Sequence, residues 1–237
     1  MKKGFLLALV LVVSVAASAA LTMGDVISKS AYDSKGVSAD LVQKINLPAQ
    51  NLVMKINGKI FMKGESVRVE MVYTEDSFNN PAQYMQMKMM KADEMIIINT
   101  GKEGAKKSIV IYPKLNGYVE TSEEEAGNMG NDMEDIDEMM MAPVEKVGTE
   151  SFAGISAVKY KVLPLPDDDV EEGESYFVYV DPSNKLMVGM YITDAQGNET
   201  TLEYRNVKAG VDESVFTAPA GLTKYDNMQQ MVMSGMQ

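Results

Sequence analysis

The chain has 237 residues, and its 34 Asp and Glu against 22 Lys and Arg give a net charge of −12. Such an acidic chain repels nucleic acid and anionic membrane surfaces. It contains no Cys and no His, which excludes disulfides, thiolate and Ser-His-Asp catalysis and ordinary zinc sites. The acidic runs lack calcium-loop spacing and single out no carboxylate pair, so we expect no enzyme and no cofactor.

The first residues have the pattern of an export signal. Lys2 and Lys3 precede an apolar run over residues 5–15, and Ala17-Ser18-Ala19 fits the small-residue rule for cleavage. The run is too short to span a membrane as a helix. The sequence therefore predicts a signal peptide over 1–19, a periplasmic location and a single domain over 20–237.

The first half of the remaining chain alternates between apolar and polar residues. Residues 39–45 predict a short helix, and residues 52–62 and 67–73 predict the first two strands. Further strands are predicted over 84–91, 95–99, 108–112 and 118–121. In the segment 84–91, period two places Met85, Met87 and Met89 on one face of a strand.

A change to helical spacing follows in the middle of the chain. The apolar residues of this stretch are spaced 3, 4, 3 and 4, and they are Ala126, Met129, Met133, Ile136 and Met140. Asn131 is a candidate N-cap and Pro143 ends the pattern. We expect an amphipathic helix over about residues 131–141.

Strand signals resume after this helix, over 144–150, 156–163, 176–180, 186–193 and 200–207. The tail over 226–237 has helical spacing, with Asp226 as a possible cap. Because no helix separates most neighbouring strands, the sheet should be antiparallel. The predicted fold class is mainly β (α+β): a single curled antiparallel sheet of about eleven strands forming a half-open barrel with a helical lid.

Two short motifs carry a family resemblance. Asp212, Phe216, Pro219 and Gly221 form a D-x-x-x-F…P-x-G pattern after the last long strand, and Gly58-Lys-Ile-Phe-Met-Lys63 lies in the early hairpin. Both motifs resemble the LolA/LolB-like superfamily of periplasmic lipoprotein carriers and receptors, whose fold is a half-open barrel. The family often has a basic residue followed by Pro after the hairpin strand, where Arg helps to hold a lid closed. Here Gly64 follows Lys63, a departure from the carrier pattern.

The resemblance implies a non-enzymatic binding protein that holds a lipid or the acyl chain of a lipoprotein during envelope traffic. Its expected partners are a lipid or acylated lipoprotein and an envelope protein, with no nucleic acid, and we expect a monomer. An open curled sheet must cover its apolar side or hold something there. The candidate ligand-binding residues are Ile56, Ile60, Met62, Val69, Met71, Met87, Met89, Met133, Ile136, Met140 and Met190.

Two other interpretations remain open. The chain has 21 Met, and the sets Met85–Met87–Met89 and Met228–Met231–Met233–Met236 have spacings similar to those of methionine-only copper(I) sites. The periodicity of the first set fits a strand core equally well. The third interpretation is an envelope interaction protein whose cavity is filled by its own lid.

Overall fold

The computed structural model describes residues 21–101, 107–122, 140–164 and 172–235 of the chain. In this part, twelve strands form one sheet in the order β12-β6-β5-β4-β3-β2-β1-β11-β10-β9-β8-β7. The strands are β1 Val37–Leu47, β2 Leu52–Lys63, β3 Ser66–Val72, β4 Glu94–Thr100, β5 Lys107–Tyr112, β6 Gly117–Ser122, β7 Val144–Phe152, β8 Ile155–Val162, β9 Ser175–Asp181, β10 Leu186–Thr193, β11 Glu199–Ala209 and β12 Thr223–Tyr225. The sheet does not close, because β12 and β7 lie at its two edges.

Pairing in the sheet is antiparallel at every step except the last, where β12 runs parallel to β6. The predicted curled sheet is therefore confirmed, with one short parallel strand added at its edge. The three strands predicted between residues 176 and 207 correspond to β9, β10 and β11.

The helix predicted over residues 39–45 is wrong, because this stretch lies in the long strand β1. Val37, Ala39 and Leu41 are all buried, which is a period of two. β1 pairs with β2 on one side and β11 on the other, so it is a central strand of the sheet. Tertiary pairing outweighs the weak local helix signal here.

The strand predicted over residues 84–91 is also wrong, because Pro81–Met89 forms the helix α2. Asn80 caps it, with its side-chain oxygen accepting a hydrogen bond from the Ala82 N–H at 3.1 Å, and Pro81 occupies the first helical turn. These start signals outweigh the methionine alternation. Met85 and Met89 are 54% and 77% exposed on this helix, so they are surface residues.

One face of the sheet is concave, and we call it the inner face. A single buried cluster joins Val67 and Val69 of β3 to Tyr160 and Val162 of β8. Those strands are six positions apart in the sheet, about 29 Å if it were flat. They can share a cluster only because the sheet curls around other buried residues that lie between them.

The N-terminal segment, residues 22–35, supplies those residues. It contains the short helix α1 (Met23–Val26) and a π-helical turn over Ala31–Lys35. Its buried residues are Met23, Val26, Ile27, Ala31 and Tyr32, all part of the same cluster. Backbone hydrogen bonds from Met23 N–H to the Ala142 carbonyl and from Ser28 N–H to the Lys185 carbonyl hold it across the sheet.

The opposite, outer face has its own core beside β4 and β5. Phe216 is 5% exposed and packs with Ile98 and Ile111. It ends a 3-10 turn over Glu213–Phe216, in which the Asp212 side chain accepts a hydrogen bond from the Ser214 N–H at 2.8 Å. The Asp212–Phe216 motif therefore places an aromatic anchor on the outer face.

The C-terminal helix α3 spans Met228–Gly235, which confirms the helical spacing of the tail. The Asn227 side chain, rather than Asp226, accepts the capping hydrogen bond, from the Gln230 N–H at 2.9 Å.

The proposed lid helix over 131–141 lies outside the described residues except for Met140 and Met141, and so does the predicted signal peptide. Within the described ranges, no helix is long and apolar enough to cross a membrane.

Candidate ligand-binding groove

The inner face is covered at both ends by the chain itself. At one end, the N-terminal segment packs over strands β1, β2 and β8–β11. At the other end, α3 packs Met231 against Leu115 and Val119. Gly117 of β6 allows this approach, because a Cβ there would lie 2.6 Å from the Tyr225 ring and 3.0 Å from the Met231 sulfur.

Between these two covers lies an apolar strip, which we call the central floor. Its members are Ile45, Ile56, Val69, Met71, Tyr73, Met95 and Ile97. All of them come from strands β1–β4 or directly follow β3, so this cluster has no member from the N-terminal segment or α3. Ile45, Val69, Tyr73 and Met95 are only partly buried.

Aromatic residues border the central floor at the end where β2 begins and β3 ends, which we call the lower end. Phe78 forms a bridge with Met54, and its ring stacks on Tyr73 at a centroid distance of 5.9 Å. The Tyr73 hydroxyl lies 3.7 Å from the Met71 sulfur. Burial, together with the nearby Tyr112, raises the pKa of Tyr73 above its ordinary value, so the hydroxyl stays neutral.

The segment around α2 is tied to α3 at the same end. Lys91 Nζ donates a hydrogen bond to the Gly235 carbonyl at 2.8 Å, at the C-terminal end of α3. Lys114 Nζ lies 2.7 Å from an Asp93 carboxylate oxygen and 3.0 Å from one of Glu94, which fixes the turn after β5 to the start of β4. These contacts join the segment after α2, the end of α3 and the turn after β5 at the lower end of the groove.

The candidate ligand residues are distributed over several places. Ile56, Val69 and Met71 lie on the central floor. Ile60, Met62 and Met140 are buried beneath or beside the N-terminal segment, with exposures of 3%, 2% and 5%, and Met190 packs against the same cluster. Met87 and Met89 lie on helix α2, away from the strands on which they were predicted. Met133 and Ile136 lie outside the described residues.

The N-terminal segment is a cover that the sequence patterns did not predict. Tyr32 is 1% exposed, and its hydroxyl accepts a hydrogen bond from the Met187 N–H at 2.9 Å. Burial raises the pKa of Tyr32 to about 12. The usable signal was the spacing of Met23, Val26 and Ile27, which places three apolar residues on one helical face.

The methionines of the tail do not converge on one point. In α3, Met231 is fully buried against Leu115, whereas Met233 is 61% exposed on the other side of the helix. Met236 lies outside the described residues. Among the described residues, no group of three or more His, Cys, Asp or Glu side chains could hold a metal ion.

Comparisons with known proteins give distant structural likenesses. The sequence matches no family model, and no curated protein matches it. One similar solved structure, described as an outer membrane lipoprotein-sorting protein domain from Vibrio parahaemolyticus, is 13% identical, with a TM-score of 0.39 over 79% of this chain and 92% of that one. A LolA superfamily protein from Nitrosomonas europaea is 12% identical, with a TM-score of 0.40 over 84% of this chain and 99% of that one.

The chain is structurally similar to LolA-like proteins. The Pseudomonas aeruginosa MucA/MucB complex is also similar, at 12% identity and a TM-score of 0.41, over 82% of this chain but only 59% of that one. All three TM-scores lie below 0.5, so these likenesses assign no ligand, partner or location to this chain.

Proposed function

We propose that this protein is a non-enzymatic binding protein that holds an acyl chain on the central floor of its half-open barrel. The observation that carries the proposal is the contrast along the inner face. Its two ends are packed against the chain's own segments, whereas the central floor between them is apolar and partly exposed. Exposed apolar surface of this kind marks a binding site more often than a structural surface.

The chemistry of the floor suits an alkyl chain. Met71 and Met95 have flexible, polarisable side chains that adapt to varied shapes, and Ile56 and Ile97 supply rigid apolar walls. Burial of each methylene of a ligand contributes about 0.8 kcal/mol. A chain of several methylenes along this strip can therefore bind without any charged contact.

The biological setting follows from the predicted signal peptide. In this proposal the protein is a periplasmic monomer whose ligand is a lipid or an acylated lipoprotein. A further envelope protein is its second partner. The protein performs no bond chemistry and needs no cofactor.

A pair of substitutions on opposite faces of β3 tests the groove. Val69→Trp fills the central floor, whereas Val72→Trp adds the same ring at an exposed position, 43% accessible. We expect Val69→Trp to weaken binding of a fluorescent fatty-acid analogue by more than about tenfold, a loss of roughly 1.4 kcal/mol. Val72→Trp should bind as the wild type does. If circular dichroism shows both variants to be folded and they bind the analogue equally, the central floor is not the binding site.

The third interpretation from the sequence keeps one observation in its favour. The N-terminal segment already fills part of the inner face, so a self-filled barrel that acts through surface contacts is the second candidate. Native mass spectrometry of protein purified without detergent separates the two. Co-purified lipid supports the carrier, bound copper supports the methionine site, and a bare mass with no binding of added lipid supports the self-filled barrel.

A further inference from the structure

A row of three polar side chains crosses the inner face beside the apolar floor. Asn99 of β4 pairs with Ser108 of β5, and Ser108 pairs with Thr121 of β6. Paired residues of neighbouring strands share a face. Asn99 is two residues from Ile97 of the central floor, so the polar row lies on the inner face. We call these three residues the polar row.

The polar row is one step along the strands from apolar neighbours. The next row consists of Val69, Ile97, Val110 and Val119, which pair with one another across β3–β6. Two of its members, Val69 and Ile97, belong to the central floor. A ligand extended along the strands on the floor would therefore have one end beside the polar row.

Two oxygens of the polar row are buried and have no hydrogen-bond partner among the described residues. They are the side-chain oxygens of Asn99 and Thr121, and Ser108 between them is 7% exposed. A buried polar atom without a partner costs free energy, and most such atoms in folded proteins are bonded. These two orphaned oxygens, on β4 and β6 at either side of β5, indicate hydrogen bonds that a bound molecule can supply.

The side chains of the row define the chemistry of that molecule. An Asn amide and a Thr hydroxyl each contain both donor and acceptor functions, and neither carries a charge. The polar row and the adjacent row contain no Lys or Arg at any of their register positions in β3–β6. A buried carboxylate or phosphate without a cation is strongly disfavoured, more so in a chain of net charge −12.

We infer that the polar row binds the uncharged, hydrogen-bonding head group of an acylated ligand, a hydroxyl or an amide, while the acyl chain lies on the central floor. This inference rests on the proposed function, because it names the ligand class of the same groove. A monoacylglycerol has this chemistry, as does an acyl chain attached through a secondary amide. A free fatty-acid anion and a simple ester without donors do not.

Three probes with the same oleoyl chain test the head group. Monooleoylglycerol has hydroxyl donors, methyl oleate has none, and oleate at pH 8 is an anion. The full chain should bind monooleoylglycerol at least about fivefold more tightly than either of the others, the effect of roughly one net hydrogen bond. Equal binding of the glyceride and the methyl ester, or tighter binding of oleate, overturns the inference and leaves the apolar groove standing. If none of the three binds, the proposed function fails and this inference fails with it.

A matched pair of isosteric variants assigns the preference to the polar row. Thr121→Val removes the orphaned hydroxyl from the inner face of β6. Thr100→Val is the control, because it makes the same change on the outer face of the sheet, in β4. We expect Thr121→Val to lose most of the preference for monooleoylglycerol while its affinity for methyl oleate stays unchanged. Thr100→Val should keep the preference. A preference that survives in Thr121→Val contradicts the assignment.

The unliganded protein provides an independent readout. Because no described residue bonds to the Thr121 hydroxyl, its removal should leave the Tm unchanged or raise it. A clear fall in the Tm of Thr121→Val relative to Thr100→Val would show that the hydroxyl is bonded within the protein. That result also overturns the inference.

Discussion

Phe216 joins the C-terminal turn to the outer face of the sheet. It is 5% exposed and contacts Ile98 of β4 and Ile111 of β5, the most deeply buried pair of that core. Phe216→Ala should lower the free energy of unfolding by roughly 3–5 kcal/mol, because it removes a buried ring and leaves a cavity. Urea unfolding measures this loss, with the exposed Val72→Ala as control at under about 0.5 kcal/mol. A loss below about 1 kcal/mol for Phe216→Ala would show that the ring does not anchor the turn.

Glu203 is a nearly buried carboxylate between two cations on the outer face. Its carboxylate bonds to the Lys44 ammonium and, at 2.6 Å, to the Arg205 guanidinium. Burial by itself raises the pKa of Glu203, but the bonds from Lys44 and Arg205 outweigh it and hold the pKa below its ordinary value. The ionised form is therefore favoured by folding.

Because folding lowers the pKa of Glu203, the free energy of unfolding decreases at acidic pH. Its contribution is fully present above the unfolded pKa, about 4.3, and is lost as the pH falls through the lower folded value. Urea unfolding between pH 6 and pH 3 should show a decline in the wild type that is reduced in Glu203→Gln. In Lys44→Met, which removes one of the two donors, the folded pKa of Glu203 is lowered less, so the decline should be smaller than in the wild type. Identical pH profiles for the wild type and Glu203→Gln would contradict the assignment.

At the scale of elements, α3 has one buried and one exposed methionine two residues apart. Met231→Ala should destabilise the protein by about 2–5 kcal/mol, because Met231 is fully buried against Leu115 and Val119. Met233→Ala, the same change at a position 61% exposed, should cost less than about 0.5 kcal/mol. Chemical unfolding of the two variants measures the difference. Equal losses would mean that α3 does not pack on the inner face as described.

Strands with strong alternation could be predicted from the sequence, and two elements with competing signals could not. Strands β2–β6 and β7–β11 follow the predicted pattern because apolar alternation and turn residues agree there. In β1, pairing with two neighbours decided the structure, and this pairing is not visible in a local window. In α2, the Asn80 cap and Pro81 outweighed the alternation of methionines.

The candidate site was predicted in part for a related reason. Ile56, Val69 and Met71 are on the central floor because strand periodicity identifies one face of β2 and β3. Periodicity alone does not show which stretch of that face is covered, so Ile60 and Met62 were included although the N-terminal segment buries them. The polar row could not be predicted from the sequence, because its three members come from three strands and align only through the register.

Across the whole molecule, the inner face of the sheet has three regions. The N-terminal segment covers the first, the central floor is partly exposed, and α3 covers the third. The N-terminal segment and α3 hold the two ends of the inner face, and α2 with Lys91 ties the lower end to the C-terminus. This arrangement leaves the central floor as the surface on which an apolar ligand is expected. The outer face carries a different apolar group, in which the rings of Phe152 and Tyr179 stack at 3.7 Å.

Photochemical labelling locates the ligand on one of these surfaces directly. The full chain is incubated with a monoacylglycerol whose acyl chain carries a diazirine, irradiated, digested and sequenced by mass spectrometry, with excess unlabelled monooleoylglycerol as competitor. We expect competed adducts on Ile45, Tyr73 and Met95 of the central floor. Competed adducts confined to Phe152 and Tyr179 of the outer face, or to the exposed Met85 and Met89 of α2, would contradict it.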